Sequence, residues 1–458
     1  EAALTRSGMP GNSVAVGKVL AQTAREQGYK HFLVSFVDLF GVQRAKLVPA
    51  VAIGEIATSG AGFAGFAAHF DVTPADGDVV AVPDPASLTR LPWKKEVGWL
   101  ASDLFLNGKP FEQSPRRVLQ RQIERGAAHG MQLKTGVEVE FMLLQPPAVG
   151  APKNSPLAID PRDSYYKPCY DQSALMRQYD FLDEVTGYVE ELGWEPYQAD
   201  HEDANGQFEI NWKYCDVMLN ADRVAFHKFM VRTIAEKHGL RATFMPKPLE
   251  RKTGNGMHMH VTLHHPTTGA NLFKAPKGEG DEYGFTPLAH NFLGGLMQHI
   301  QGMTAISNPT VNSYKRLGSS TTDSGATWAP TRASHGGNDR THVVRVPDAP
   351  RFELRIADMA ANTYLLPAVT LAAGLNGIEG KADPGPRAKV PAWDLPAGQA
   401  IPLPSNLLES LAAFEADSAL GAQLGLDFCT AYLRLRRAQW REYCMHLTQW
   451  ELDTYLDV

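Results

Sequence analysis

Four short segments with period-2 alternation constrain this chain more than any other feature, because each is apolar on one face and carries Glu, His or Arg on the other. Gly136 to Leu144 (GVEVEFMLL) places Glu138 and Glu140 opposite Val137, Val139 and Phe141. Gly206 to Trp212 (GQFEINW) carries Glu209, with Glu202 seven residues earlier in the preceding loop. Gly256 to Leu263 (GMHMHVTL) sets His258, His260 and Thr262 against Met257, Met259 and Val261. Arg351 to Ile356 (RFELRI) aligns Arg351, Glu353 and Arg355. Amphipathic antiparallel strands commonly have one solvated face. That face is usually a mixture of Thr, Lys, Ser and Gln, whereas here it is almost entirely Glu and His.

Two glutamates at i and i+2 on one strand bring like charges close, which costs energy unless a cation lies between them. Five carboxylates and an imidazole converging on one face suit two divalent cations, and hard oxygen donors with a single His favour Mg²⁺ or Mn²⁺ over Zn²⁺. A two-cation site beside arginines suits phosphoryl transfer, where positioning and charge neutralisation do most of the catalysis. Asn308 to Leu317 (NPTVNSYKRL) adds Lys315 and Arg316 at the end of a turn, and Gly336 to Pro347 adds Arg340 and Arg345 at a spacing one strand could offer. Neither a Walker A sequence nor a G-x-G-x-x-G occurs at a strand-helix junction, so an ATP user with this chain needs another nucleotide-binding architecture.

The chain has 458 residues, 44% hydrophobic and 21% charged, enough for a large core. A net charge of -6 without like-charge runs gives no footprint for nucleic acid or an anionic membrane. Four scattered cysteines (Cys169, Cys215, Cys429, Cys444) make neither a disulfide framework nor a zinc cluster, and a reducing compartment is the simplest reading. With no apolar run of transmembrane length and no signal-peptide pattern at the N-terminus, the expectation is a cytoplasmic protein. Lys30 to Val37 reads as a strand that pairs with Gln43 to Val48 across a turn, and Gly60 to Asp84 reads as a long loop. Helices are expected after Ser114 (N-cap) and Pro115, ending at Gly130; from Asp171 to Leu192; from Ala221 to His238; and over most of Leu407 to Leu456. Ala382 to Pro404 reads as a Pro-rich connector. The boundary falls near Gln113, giving units of 1–113 and 114–458.

Taken together, the motifs resemble the glutamine synthetases, specifically the type III-like branch that includes the γ-glutamylmethylamide synthetases. The resemblance spans nearly the whole chain and is carried by EVEF (Glu138 to Phe141), HED-x-x-GQ-x-E (His201 to Glu209), MPKP (Met245 to Pro248), GNGMHMH (Gly254 to His260), NPTVNSYKRL and RFELR (Arg351 to Arg355). It implies an α+β architecture: an N-terminal β-grasp domain and a catalytic domain whose curved antiparallel sheet is flanked by helices. It also implies a dodecamer of two hexameric rings with each site between neighbouring subunits. Glu140, Glu202 and Glu209 are then expected to hold one metal, and Glu138, His258 and Glu353 the other. Arg316, Arg355 and Gly254 would hold glutamate, Arg340 and Arg345 phosphate, and His260 and Thr262 the nucleotide. The implied reaction is ATP-dependent: the γ-carboxylate forms γ-glutamyl phosphate and an amine displaces phosphate.

Three departures from the family pattern concern the amine and regulation. Where the family carries FDGSS, this chain has Phe63-Ala64-Gly65-Phe66-Ala67, so the ammonium aspartate becomes Ala64 and a serine becomes Phe66. The flap motif YEAP becomes Thr327-Trp328-Ala329-Pro330, replacing the flap glutamate with Trp328. Apolar and aromatic groups can bind an alkylammonium through cation-π contact and dispersion, which points to methylamine or another small alkylamine. Ammonia, a larger amine, or a catalytically silent relative are the alternatives. Asp71, Asp76 and Asp323 are the remaining candidates for taking the amine proton. Trp393 occupies the place of the family's adenylylated tyrosine, so that modification is not expected.

Overall fold

A computed structural model describes residues 13–147, 150, 157–158, 160–318, 322–325, 328–348 and 350–458. The first hundred residues build a mixed sheet in the order Gln43–Pro49, His31–Val37, Val97–Leu106, Asp78–Pro83, Ala61–Ala64. Its central pair, His31–Val37 and Val97–Leu106, is parallel, and the other pairs are antiparallel. The expected hairpin forms with Val37 opposite Gln43. Helix Ser13–Glu26 packs on helix Ile53–Ser59 through Gly17, where a Cβ would come within 2.4 Å of the Gly54 carbonyl oxygen.

The expected loop from Gly60 to Asp84 is not continuous: Ala61–Ala64 pairs with Asp78–Pro83 in register Ala61 to Ala81. Its small residues hid a strand that β-propensity alone would not select. The helix after Ser114 runs Pro115–Ala128, with Gly130 at φ +67, as its stop signal requires. The stretch from Asp171 is two helices, Gln172–Arg177 and Tyr179–Glu191, broken at Gln178 (φ −105, ψ 13). The next helix starts four residues before the expected Ala221, at Val217, because Asp216 makes no side-chain cap that would mark the start.

Two further sheets carry the site. One runs Leu157–Ala158, Val139–Gln145, Gln207–Trp212, Pro196–His201; the other runs Cys215–Asp216, Gln132–Val137, Met259–His264, Phe352–Leu354, Val344–Arg345, His335–Gly336. The expected single strand GVEVEFMLL is therefore two strands that part at Glu138, whose N–H donates to the His258 carbonyl at 2.9 Å. This bend lets one short stretch of chain serve both sheets and puts Glu138 where they meet. Helices Pro287–Ser307 and Leu365–Gly380 cover the back in close contact: a Cβ on Gly295 would lie 2.1 Å from the Ala373 carbonyl oxygen.

Arg116 ties the N-terminal sheet to the rest. Buried, it reaches Asp84 at 2.7 Å, Asp222 at 3.3 Å, and Asp103, while Tyr364 donates to Asp222 at 2.8 Å. No helix among the described residues is long and apolar enough to cross a membrane.

Candidate active site

Strand register assembles an acidic floor. Asp200, Glu209 and Glu140 stand directly opposite one another on three adjacent antiparallel strands. Like charges placed in this way repel across the sheet. Glu202 lies just past the strand of Asp200, and Glu138 and His258, 2.9 Å from each other, come in from where the two sheets part, with His258 3.7 Å from Glu140. These groups line an open cavity of about 130 Å³ together with Arg316, Arg340, Arg345 and Arg355.

The electrostatics follow from the crowding. Burial, then the charges of Asp200, Glu138 and Asp203, pushes the Glu202 carboxyl up to about 7. Burial, with Glu138, Glu202 and Glu140 nearby, pushes Glu209 well above the usual carboxylate range. Burial and the Glu202 charge do the same to Glu140 against the pull of Arg316. Glu138 goes the other way: burial opposes its ionisation, but hydrogen bonds with His258 and His260 outweigh it. Burial and the Arg355 charge bring His258 down to about 4, leaving the neutral imidazole that ligates metals.

A site whose carboxylates resist ionisation together is one that bound cations would relieve, and the donor set fits hard divalent ions. Three groups hold one potential ligand atom per residue, all within 4.8 Å: Asp200 with Glu202 and Glu209; Glu138 with Glu209 and His258; Glu138 with His260 and Glu353. Asp200 is not among the expected ligands, although Gln198 and Asp200 alternate along the strand that leads into Glu202. Glu140, expected as a ligand, is in none of the three groups. Its Oε2 accepts from the Gly256 N–H at 2.6 Å and from Gln207 Nε2 at 3.1 Å.

The other expected residues divide. Glu353 is fully buried beneath the cavity, accepting from Arg345 at 2.6 Å and from Arg355. Arg355 Nε also donates to the Arg340 carbonyl at 3.1 Å. Arg340 lies in a loop rather than on the strand of Arg345, which is only Val344–Arg345. Arg351 is turned outward onto Asp348 at 3.0 Å and does not line the cavity, contrary to the alignment expected for RFELRI. Gly254 lines the cavity and is irreplaceable on steric grounds: a Cβ there would sit 2.2 Å from the Pro246 carbonyl oxygen. Trp328 and Ala329 form part of the wall; Thr327 lies outside the described residues.

Several expected residues are absent from the lining. His260 sits behind Glu138 at 2.9 Å, and Thr262 bonds His264 at 3.0 Å farther along the same strand. Asp323 pairs with Arg251 at 2.9 Å and Lys252 at 3.2 Å, away from the cavity. Asp71 pairs with Arg434 at 3.0 Å, and Asp76 folds back on Thr73. Ala64, at the end of an N-terminal strand, and Phe66, in the 3-10 turn that follows it, are exposed. Beyond Asp200, Tyr170 and Lys247 line the cavity without having been singled out; Lys247 was in view within MPKP.

Residues 112–455 match the family model for the glutamine synthetase catalytic domain. The chain belongs to the glutamine synthetase family. A glutamine synthetase of Rhizobium leguminosarum bv. phaseoli is 50% identical over 96% of this chain and 99% of that protein. A glutamate–methylamine ligase of Methyloversatilis universalis is 38% identical over 95% of this chain and 98% of its own length. Among solved structures, a GmaS/ADP complex superposes with a TM-score of 0.90 at 53% identity, covering 96% of this chain and 99% of the other. The family's α+β architecture with its curved sheet is the one described above.

Proposed function

We propose that this chain is an ATP-dependent glutamate–amine ligase that takes methylamine in preference to ammonia. The observation that carries the reading is the cavity's mixed lining: carboxylates of Glu138, Glu140, Glu202 and Glu209 share it with four arginines, and Trp328 and Ala329 are in the wall where the family pattern has an acidic flap residue. Glu138, Glu202, Glu209, His258 and Glu353, with Asp200 or Glu140, would hold two divalent cations, Mg²⁺ or Mn²⁺. When bound, the cations supply charge neutralisation for the ATP phosphates.

The remaining chemistry belongs to the chain. Arg316 and Arg355, with Gly254 as a close backbone approach, hold glutamate so that its γ-carboxylate oxygen faces the γ-phosphorus of ATP. The new P–O bond forms as the bond to ADP breaks, giving γ-glutamyl phosphate. Arg340 and Arg345 absorb charge on the transferred group. The neutral amine nitrogen then attacks the acyl carbon, the C–O bond to phosphate breaks, and the departing phosphate takes the proton that the nitrogen gives up. His260 and Thr262 lie along the strand leading away from Glu138, a path a nucleotide could follow outward.

Amine choice rests on Trp328. A methyl group buried against an indole is worth about 0.8 kcal/mol in favour of methylamine; the cation-π contact is open to either ammonium ion and does not separate them. Arg251 and Lys252 occupy Asp323, so no free carboxylate on that loop favours the small, strongly hydrated ammonium ion. The exposed Ala64 and Phe66 support a homo-oligomer in which they meet a neighbouring copy's cavity, in the dodecamer that the family resemblance implies. Residues 1–113 and 114–458 are read as its β-grasp and catalytic domains, and the compartment as the cytoplasm. A second reading, glutamine synthetase proper, is favoured by the 50% identity to a protein of that name. Phosphate release with glutamate, ATP, Mg²⁺ and a panel of amines separates the two. A kcat/KM about tenfold or more higher for methylamine is expected, falling at least tenfold relative to ammonia in Trp328→Glu. A preference of that size for ammonia in the unaltered enzyme overturns the reading.

A further inference from the structure

One carboxylate next to the acidic floor belongs to none of its three potential ligand groups. Asp203 follows Glu202 in the chain and is 5% exposed, and its Oδ2 accepts two hydroxyl hydrogen bonds from distant segments. Thr253 Oγ1 donates at 2.7 Å and Ser324 Oγ at 2.6 Å. Thr253 precedes Gly254 and itself lines the cavity; Ser324 belongs to the segment that leads to Trp328. The same segment is tied a second time, by the Asp323 N–H to the Arg251 carbonyl at 2.8 Å and by the Asp323 ion pairs with Arg251 and Lys252. Arg251 adopts φ +59, a left-handed conformation uncommon for a side chain of its kind, so this short stretch is held in an unusual shape where it meets the segment.

We propose that Asp203 is a positioning residue that fixes the segment 322–325, which lines the cavity at Thr322, relative to the loop carrying Gly254. One carboxylate oxygen thereby sets the distance between the amine side and the glutamate side of the cavity. A charge-assisted hydrogen bond from a hydroxyl is short and directional, and a single acceptor shared by two donors leaves neither segment free to move without the other. The role rests on reading the cavity as the glutamate and amine site; the clamp itself does not.

Hydrogen exchange on the full-length protein without substrates tests the clamp directly. In Ser324→Ala and in Asp203→Ala, the amides of Asp323 and Gly325, bonded to the Arg251 and Thr322 carbonyls, should exchange about tenfold faster, and Ser324→Thr should restore protection. In steady-state assays with both methylammonium and ammonium, the KM for the amine should rise about tenfold in Ser324→Ala while the KM for ATP stays within about twofold. The Ser324→Ala effect should vanish in the Asp203→Ala background, since both act through one bond. Unchanged exchange in Ser324→Ala, or effects of the two variants that simply multiply, overturns the proposal. If Asp203→Ala does not fold, Ser324→Ala and its threonine rescue decide alone. Loss of amine turnover in the unaltered protein would refute the ligase reading while the exchange result still judged the clamp.

Discussion

Removing divalent cations should make this protein less stable as pH rises from about 5 to 7, the reverse of the usual behaviour of acidic groups. Glu202 shows the sign. Its carboxyl ordinarily titrates near 4.5 and is pushed up to about 7 in the folded chain by burial and by Asp200, Glu138 and Asp203. Between those values the folded state holds a proton that the unfolded state has released, so stability falls as pH rises through the window. At about 1.4 kcal/mol per pH unit the loss is on the order of 3 kcal/mol. Roughly 2.1 cal/mol/K per residue over the chain corresponds to ~1 kcal/mol per degree, so Tm should drop by about 3 °C from Glu202 alone. Glu140 and Glu209, raised for the same reasons, push in the same direction. The assay is scanning calorimetry of EDTA-treated protein between pH 5 and 8, beside Glu202→Gln and beside both proteins in excess Mg²⁺. The variant should lose part of the decline, and Mg²⁺ should abolish it while releasing protons on binding. A difference between the two ion-free proteins that is flat, or rises with pH, would refute the electrostatic account of the acidic floor.

Two further substitutions probe buried charged groups. Lys228 is fully buried, donates to the Met359 carbonyl at 2.7 Å, and is brought down by burial to about 7. The unfolded chain keeps its proton to about 10.5, so Lys228 makes stability rise between pH 7 and 10, and Lys228→Met should flatten that rise in urea titrations. Glu353→Gln leaves Arg345 and Arg355 buried against a neutral amide. A loss of about 3 kcal/mol in stability and the disappearance of phosphate release are expected; calorimetry and the release assay read them separately.

The parts of the fold legible in the sequence were those where local signals and the tertiary result agree. Pro115 and Gly130 bracket a helix because proline's fixed φ suits the first turn and glycine alone takes positive φ (+67) without strain, and His31–Val37 is a strand whose run of β-branched and aromatic residues is buried between its neighbours. Signals failed where packing overrode pattern. Ala61–Ala64 has only Phe63 among two alanines and a glycine to announce it, and it is a strand because Asp78–Pro83 lies alongside. The break at Glu138 is invisible to periodicity, since alternation continues across it unchanged while the backbone passes from one sheet to the other.

The site shows the same division at the level of side chains. Alternation correctly put Glu138, Glu140, Glu209 and His258 on one surface, because period 2 fixes the face of a residue whatever its partners are. It could not fix which residues stand opposite one another. That depends on register, and register is what brings Asp200 beside Glu209 and so into the acidic floor. Nor could it separate Arg355 from Arg351, which share a face on paper. Phe352–Leu354 is only three residues long, so Arg351 falls beyond its end and turns to Asp348, while Arg355 stays buried against Glu353. The chemistry of the cavity therefore comes from two independent sources. Local sequence chose the residue types, and the pairing of distant strands chose which like charges must face each other. It is this forced repulsion, more than the number of carboxylates, that makes the floor a site for cations.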